Sequence, residues 1–201
     1  MISAVVLAAG SSTRMGRAKL ILPLAGKPIV RHVVDAALTA PVDEVVVVLG
    51  AGADAVRSAL QTGGGVRFAL NDRHGEGQST SLRAGLAAAD PAADAAVILL
   101  GDQPGVTPDS IRAVVEAFRA APGGVGTPEA VQAAYGGRPA HPTLFARAVW
   151  DEVVGEGDHG ARTWLRKHPG RRLLVEVGGE PPPDVDTPED YELMRGAFES
   201  H

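Results

Sequence analysis

Three cations, Arg14, Arg17 and Lys19, fall within six residues of one glycine-bounded loop, LAAGSSTRMGRAKL, from Leu7 to Leu20. Backbone N–H groups in such a loop can face an anion, and clustered cations beside them suit a triphosphate. The spacing is not that of a Walker loop, because five residues separate Gly10 from Gly16 and no Lys-Ser pair follows. The dinucleotide fingerprint GxGxxG is also absent. Farther along, the apolar run ending at Leu100 leads into Gly101-Asp102-Gln103-Pro104. A carboxylate there offers hard oxygens to Mg²⁺, which takes one or two carboxylates plus phosphate oxygens and waters. The competing reading of Asp102 is a turn former ahead of a proline. A second acidic segment, Asp184-Val-Asp186-Thr-Pro-Glu-Asp190, precedes the last apolar helix. Asp186 is either a metal ligand or, like Thr187, a cap for the helix that Pro188 opens.

The elements that must position these residues are legible from periodicity. Ile2–Ala8 is a continuous β-prone run, expected to be buried on both faces. A helix follows Pro28, its apolar residues Ile29, Val30, Val33, Val34, Ala37 and Leu38 spaced helically and stopped by Pro41. Strands are expected at Val45–Leu49, Val66–Leu70 and Ala95–Leu100, with helices at Ala53–Leu60, Ser79–Ala89 and Pro108–Ala121 between and after them. This alternation implies parallel crossovers and an open α/β sheet with helices on both faces. In such sheets ligands bind beyond the carboxyl ends of the strands, where both the first loop and Asp102 fall. The remainder reads as short strands at Val125–Tyr135 and Arg171–Val177, with helices at Leu144–Val154, Ala161–Lys167 and Pro188–Phe198.

Charge is unevenly distributed. The first 34 residues hold five cations (Arg14, Arg17, Lys19, Lys27 and Arg31) and no acid, whereas eight acids face one Arg from Glu176 onward. A basic segment in a chain of net charge −5 suggests a bound anion. The same net charge, with only 4% aromatic residues, argues against nucleic acid as a partner. Zero Cys removes disulfides, thiolate metal sites and cysteine nucleophiles. The apolar runs are strand-sized, so no membrane span is expected, and 201 residues fit one domain. A soluble cytoplasmic protein is the expectation.

Taken together, LAAG-x-x-x-RMG-x-x-K with Gly26-Lys27-Pro28 resembles the signature of the MobA-like nucleotidyltransferases. Within them the chain is most similar to the molybdenum cofactor cytidylyltransferases. The likeness continues through Asn71, Glu76-Gly77, Ser79-Thr80-Ser81-Leu82, Gly101-Asp102-Gln103-Pro104, Gly137-Arg-Pro-Ala-His141-Pro142, Gly157-Asp158-His-Gly160-Ala161-Arg162 and Asp186-Thr-Pro-Glu-Asp190. The resemblance implies one domain with a three-layer, Rossmann-like, mostly parallel sheet of the nucleotide-diphospho-sugar transferase kind. Residues 1–120 would form its nucleotide-binding half, and residues 121–201 its acceptor-binding half with the C-terminal helix.

The implied reaction transfers CMP from CTP to the phosphate of molybdenum-loaded molybdopterin, with Mg²⁺ (Mn²⁺ as a substitute) as cofactor. Arg14, Lys19 and Asp102 would be catalytic. Leu7, Ala8, Ala9, Gly10, Ser11, Gly16, Lys27, Asn71, Gly77, Ser79 and Ser81 would join Arg14 and Lys19 around the nucleotide. Asp102 and, less securely, Asp186 would hold the metal, with Gly137, His141, Pro142 and Asp158 on the acceptor side. For His141 and Asp158 a purely structural role stays open. The guanylyl-transferring branch carries LAGG where this chain has Ala9, which favours CTP over GTP. The alternatives are GTP or another acceptor, a factor delivering cofactor to an apo molybdenum hydroxylase, and an NAD(P)H enzyme like nicotine blue oxidoreductase. His32, within a helical pattern, reads as structural, as do Trp150 and Trp164.

Overall fold

The computed structural model describes residues 1–10, 15, 18–60, 64–121, 127–155 and 160–199. Ser11, Arg14, Gly16 and Asp158 of the expected site lie outside them. The main-sheet strands are β1 (Ile2–Ala8), β4 (Glu44–Leu49), β5 (Val66–Leu70), β6 (Ala95–Leu100), β7 (Ala130–Tyr135), β8 (Arg138–Ala146) and β9 (Arg172–Glu176). They assemble in the order β5-β4-β1-β6-β8-β7-β9. Every neighbouring pair is parallel except the two that involve β8. The helices are α1 (Ile29–Thr39), α2 (Ala53–Leu60), α3 (Gln78–Ala88), α4 (Pro108–Ala120), α5 (Trp150–Gly155), α6 (Gly160–Lys167) and α7 (Pro188–Glu199).

The alternation of β1 builds the layers directly. Ile2, Ala4, Val6 and Ala8 join one core with Val30, Val33, Val34 and Ile111 of α1 and α4. Val5 points the other way, into a core with Leu82 and Leu86 of α3, Phe145, and Trp164 of α6. Trp150 and Trp164 are both buried there, as expected. A third, smaller cluster of Met15, Leu24, Ile29, Val185, Tyr191 and Met194 ties α7 to the first loop. His32 is structural: its Nε2 lies 2.8 Å from the Leu24 carbonyl and its ring stands edge-on to Phe198.

Two segments depart from the sequence expectation. Leu144–Val154 is not one helix. Its start completes β8, one turn follows at Arg147–Val149, and α5 begins only at Trp150. Pro139 and Pro142 obscure this strand, since proline removes a ladder donor. The structure tolerates Pro142 because β7–β8 pairing jumps from Gln132↔Thr143 to Ala133↔Ala140, leaving His141 and Pro142 in a bulge. A short hairpin also precedes α1, pairing β2 (Pro23–Leu24) with β3 (Lys27–Pro28). Its turn needs left-handed backbone at Ala25 (φ 45°) and Gly26 (φ 80°).

Candidate functional site

The chain runs outward from β1 to β4 and β5, then returns to β6 on the other side of β1. The topological switch point therefore lies between β1 and β6, whose ends align with Leu7 opposite Leu100. Gly101 continues the ladder, its N–H donating to the Leu7 carbonyl at 2.9 Å. A Cβ on Gly101 would come within 3.0 Å of that same oxygen, so the position favours glycine. Asp102 is thereby held next to the loop that leaves β1.

The C-terminal segment reaches the same point from the other direction. Val185 donates its N–H to the Asp102 carbonyl at 3.0 Å. Thr187 and Asp190 form a reciprocal cap at the start of α7: Thr187 Oγ1 accepts from the Asp190 N–H at 3.2 Å, and Asp190 Oδ2 accepts from the Thr187 N–H at 2.8 Å. Helix capping is thus made by Thr187 and Asp190, and the Asp186 carboxylate faces Lys19. Lys19, only 8% exposed, sits between the two arms. Its Nζ donates to Asp102 Oδ2 at 2.6 Å and to Asp186 Oδ1 at 2.7 Å.

This is a dense electrostatic arrangement. Burial alone would lower the Lys19 pKa, but the carboxylates of Asp102 and Asp186 outweigh it and hold the ammonium above its usual value. Asp184 lies close by and is pushed the other way, upward, by burial and then by the charge of Asp102. The Gln103 amide, donating to Asp184 Oδ1 at 2.8 Å, offsets part of that rise. Two carboxylates converging on one ammonium nitrogen form a hard-oxygen pair that fits a divalent cation. Among the described residues no cluster of three or more His, Asp or Glu forms a self-sufficient metal cage.

Around this centre open two cavities. The first, about 500 Å³, is lined by Leu7, Ala9 and Gly10, by Lys19, His74, Gly75, Gly77, Gln78 and Ser81, and by Asp102, Asp184 and Asp186. The second, about 670 Å³, lies beside it and is lined by Ser79, Gln103, Gln132, His141, Thr143, Arg162, Arg166 and Arg172, with Leu82, Ile98 and Leu165 as apolar wall. Leu7, Gln78, Leu100, Arg162 and Asp184 border both.

Most of the expected site residues gather here. Leu7, Ala9, Gly10, Lys19, Gly77, Ser81, Asp102 and Asp186 line the first cavity, and Ser79 and His141 the second. Ala8 and Asn71 are buried behind the lining. Asn71 Nδ2 braces Thr80 Oγ1 at 3.0 Å and Ser81 Oγ at 2.9 Å, so it positions the start of α3. Lys27 does not join them. The β2–β3 hairpin directs it to Asp35 of α1 at 2.8 Å, where Arg31 also binds. Gly137 lies in the β7–β8 turn, its N–H donating to Glu176 at 2.6 Å, and Pro142 packs inside β8; neither lines either of these two cavities. His141 does, because the bulge releases it from the ladder. Burial lowers its pKa, and its Nδ1 lies 3.3 Å from the Ile98 carbonyl. The ring is then neutral at pH 7, with Nδ1 assigned as donor and Nε2 left as acceptor.

The sequence reading missed Gln78, Gln103, Asp184, Arg162, Arg166 and Arg172 as lining residues. Gln103 and Arg162 stand inside motifs already singled out, so position within the motif was the available signal. Arg166 and Arg172 had none. No described helix is long and apolar enough to cross a membrane.

Residues 4–173 match the model of the MobA-like NTP transferase domain. The chain is 33% identical, over 96% of both chains, to nicotine blue oxidoreductase of Paenarthrobacter nicotinovorans and to purine catabolism protein PucB of Bacillus subtilis. It also matches the bifunctional GlmU protein of Bordetella petrii at 38% identity over 58% of its own length, a stretch that spans about a quarter (26%) of that longer protein. Among solved structures, Rv0371c of Mycobacterium tuberculosis superposes with a TM-score of 0.83 at 34% identity, covering 97% of both chains. The same protein has been solved in complex with manganese. A nucleotidyl transferase from Methanothermobacter thermautotroptrophicus matches at TM-score 0.81 and 29% identity, covering 100% of this chain and 98% of that one. With a switch-point cavity and an acidic pair at the carboxyl ends of β1 and β6, the chain belongs to the MobA-like NTP transferase domain family.

Proposed function

We propose that this nucleotidyltransferase transfers CMP from CTP to the phosphate of molybdenum-loaded molybdopterin and releases pyrophosphate. The observation that carries the reading is Lys19 held between Asp102 and Asp186 in the first cavity, with the second cavity opening beside it. An attacking phosphate monoester is already largely ionised at neutral pH, its second pKa being about 6, so the site needs no general base. Its work is charge neutralisation and alignment. Asp102 and Asp186 would hold Mg²⁺, or Mn²⁺ in its place, and the ion would supply charge neutralisation to the triphosphate. Lys19, with Arg14 from the first loop, neutralises the departing phosphates. Ala9, Gly10, Gly77 and Ser81 line the nucleotide cavity with small side chains, which lets the base approach the backbone closely. Ala9 in place of glycine supports CTP over GTP, by family resemblance. The same reading puts the protein in the cytoplasm, with an apo molybdenum hydroxylase as the downstream recipient of its product.

A second reading, an NAD(P)H-dependent reaction, is favoured only by the full-length similarity to nicotine blue oxidoreductase. A thermal-shift panel with CTP, GTP, ATP, UTP and NADPH, each with and without Mg²⁺, separates the two. A ligand at 100 times its Kd adds about 2.7 kcal/mol of stability, which is readily seen. The expected result is a Mg²⁺-dependent shift largest with CTP. A GTP preference would overturn the base assignment, and a shift with NADPH alone would overturn the transferase reading.

A further inference from the structure

Strand β9 ends the main sheet but has the make-up of an interior strand. Its sequence from Arg172 to Glu176 is RLLVE, apolar at all three inner positions and without proline or lysine. Leu173 and Leu174 are successive, so they point to opposite faces of the sheet, and each is 40% exposed. Strands apolar on both faces belong inside a sheet, whereas natural edge strands are blunted by charge, proline or a bulge. The opposite edge, β5, is defended in that way: the Arg57 guanidinium covers the Phe68 ring, and Arg67 pairs with Glu44 at 2.8 Å.

The backbone phase of β9 is fixed by its bonds to β7. The Arg171 carbonyl accepts from the Glu129 N–H at 3.0 Å, and the Val177 N–H donates to the Ala134 carbonyl at 3.0 Å. The N–H and C=O of one strand residue point the same way and successive residues alternate, so Leu173 and Val175 also turn toward β7. The backbone groups of Arg172, Leu174 and Glu176 therefore face away from the sheet. Among the described residues no backbone group pairs with them there.

This edge complements a copy of itself. A two-fold axis normal to the sheet at Leu174 runs two β9 strands antiparallel, with Leu174 opposite its own copy, Leu173 opposite Val175 and Arg172 opposite Glu176. Every outward residue then exchanges both of its hydrogen bonds with the residue it faces. The charges agree, because Arg172, Leu174 and Glu176 share a face and a guanidinium meets a carboxylate at each end of the pairing. Arg172 also donates to Gln132, and Glu176 accepts from Gly136 and Gly137. A guanidinium and a carboxylate have further donors and lone pairs for a second partner. Sliding the register by two residues would leave one charged end unpaired and set Leu174 against the other.

We propose that β9 is the contact of a homodimer, in which two copies of this chain join their sheets edge to edge across a two-fold axis at Leu174. The same strand serves both copies, so the assembly closes at two.

The test uses the full chain. Sedimentation velocity over a concentration series should show a reversible monomer–dimer equilibrium. Because the chain contains no cysteine, a single introduced one reports on its own position. Hydrogen-bonded residues directly opposed across antiparallel strands have Cα atoms about 5.5 Å apart, within the roughly 4.4–6.8 Å that a disulfide spans. Leu174→Cys should therefore form a disulfide-linked dimer under mild oxidation at least about tenfold faster than Leu193→Cys, since the dimer raises the local thiol concentration only at the axis. Leu193, on α7, is the more exposed of the two at 76%. Leu174→Lys opposes two ammonium groups on the axis and should weaken association at least about tenfold, with a thermal melt to check that the variant is folded. A chain that stays monomeric up to about 1 mM overturns the proposal. So does a dimer that Leu174→Lys leaves intact, or one in which Leu174→Cys crosslinks no faster than Leu193→Cys, since the contact then lies elsewhere.

Discussion

The backbone N–H of Val185 donates to the carbonyl oxygen of Asp102 at 3.0 Å. This bond joins the C-terminal segment to the end of the central strand β6 and sets Asp184 and Asp186 beside Asp102. The candidate site is therefore closed by the last segment before α7 and cannot be assembled by the first half of the chain alone.

Asp102→Asn tests the acidic pair. The amide keeps the shape but surrenders the charge that balances Lys19 and would bind a cation. Loss of one transition-state electrostatic contact costs roughly 10²–10³ in turnover. Pyrophosphate release should fall by at least about 100-fold, with circular dichroism unchanged; normal turnover would remove Asp102 from the mechanism.

Asp184→Asn should raise the melting temperature at pH 7. The folded state holds the Asp184 proton more tightly than the unfolded chain, through burial and the nearby charge of Asp102. As pH climbs from the ordinary carboxylate range near about 4, the unfolded carboxyl ionises first and stability declines until the folded carboxyl ionises too. The variant lacks this decline, so its advantage should shrink as the pH is lowered toward that range. Melting curves that stay a constant distance apart would show that the fold does not raise the Asp184 pKa.

Lys27→Ala should leave Mg·CTP affinity within about twofold. Its ammonium pairs with Asp35 and is about half exposed, 53%, which puts it among surface pairs worth about 0–1 kcal/mol. A tenfold loss in a binding titration would restore Lys27 to the nucleotide pocket.

Thr187→Ala removes half of the reciprocal cap on α7 and should cost about 1 kcal/mol of stability. Because the same turn presents Asp186 to Lys19, metal-dependent CTP binding should weaken alongside. Chemical denaturation and titration on one preparation would show whether the two effects travel together.

Gly85→Ala examines the packing of α3. A Cβ there would lie 2.3 Å from Val5 Cγ1 and 2.9 Å from Val48 Cγ2. Overpacking of this kind costs typically about 1–3 kcal/mol, against a helix-propensity gain of under about 1 kcal/mol. Net destabilisation is expected in urea; a more stable variant would mean that α3 stands farther from the sheet.

The chain sequence by itself determined the local elements and the chemistry they carry. The apolar runs of β1, β4 and β6 and the helical spacing of α1 and α4 are properties of neighbouring residues, and periodicity reports them directly. So too the basic first loop, Asp102 after β6 and the acidic segment before α7 could each be read where they stand. What only the tertiary structure decided were relations between distant residues. β8 escaped notice because its prolines argue against a strand, and a bulge paired by β7 and β6 is what admits them. Thr187 and Asp190 cap α7 reciprocally, and the Asp186 carboxylate meets Lys19, 167 residues away in the chain. Lys27 and Lys19 carry the same charge eight residues apart, yet a hairpin turn sends one to Asp35 and burial holds the other between Asp102 and Asp186. Arg162, Arg166 and Arg172 become one wall only when α6 and β9 fold against the β6–β8 end of the sheet. Long-range packing, with no trace in local spacing, is what makes those residues a site.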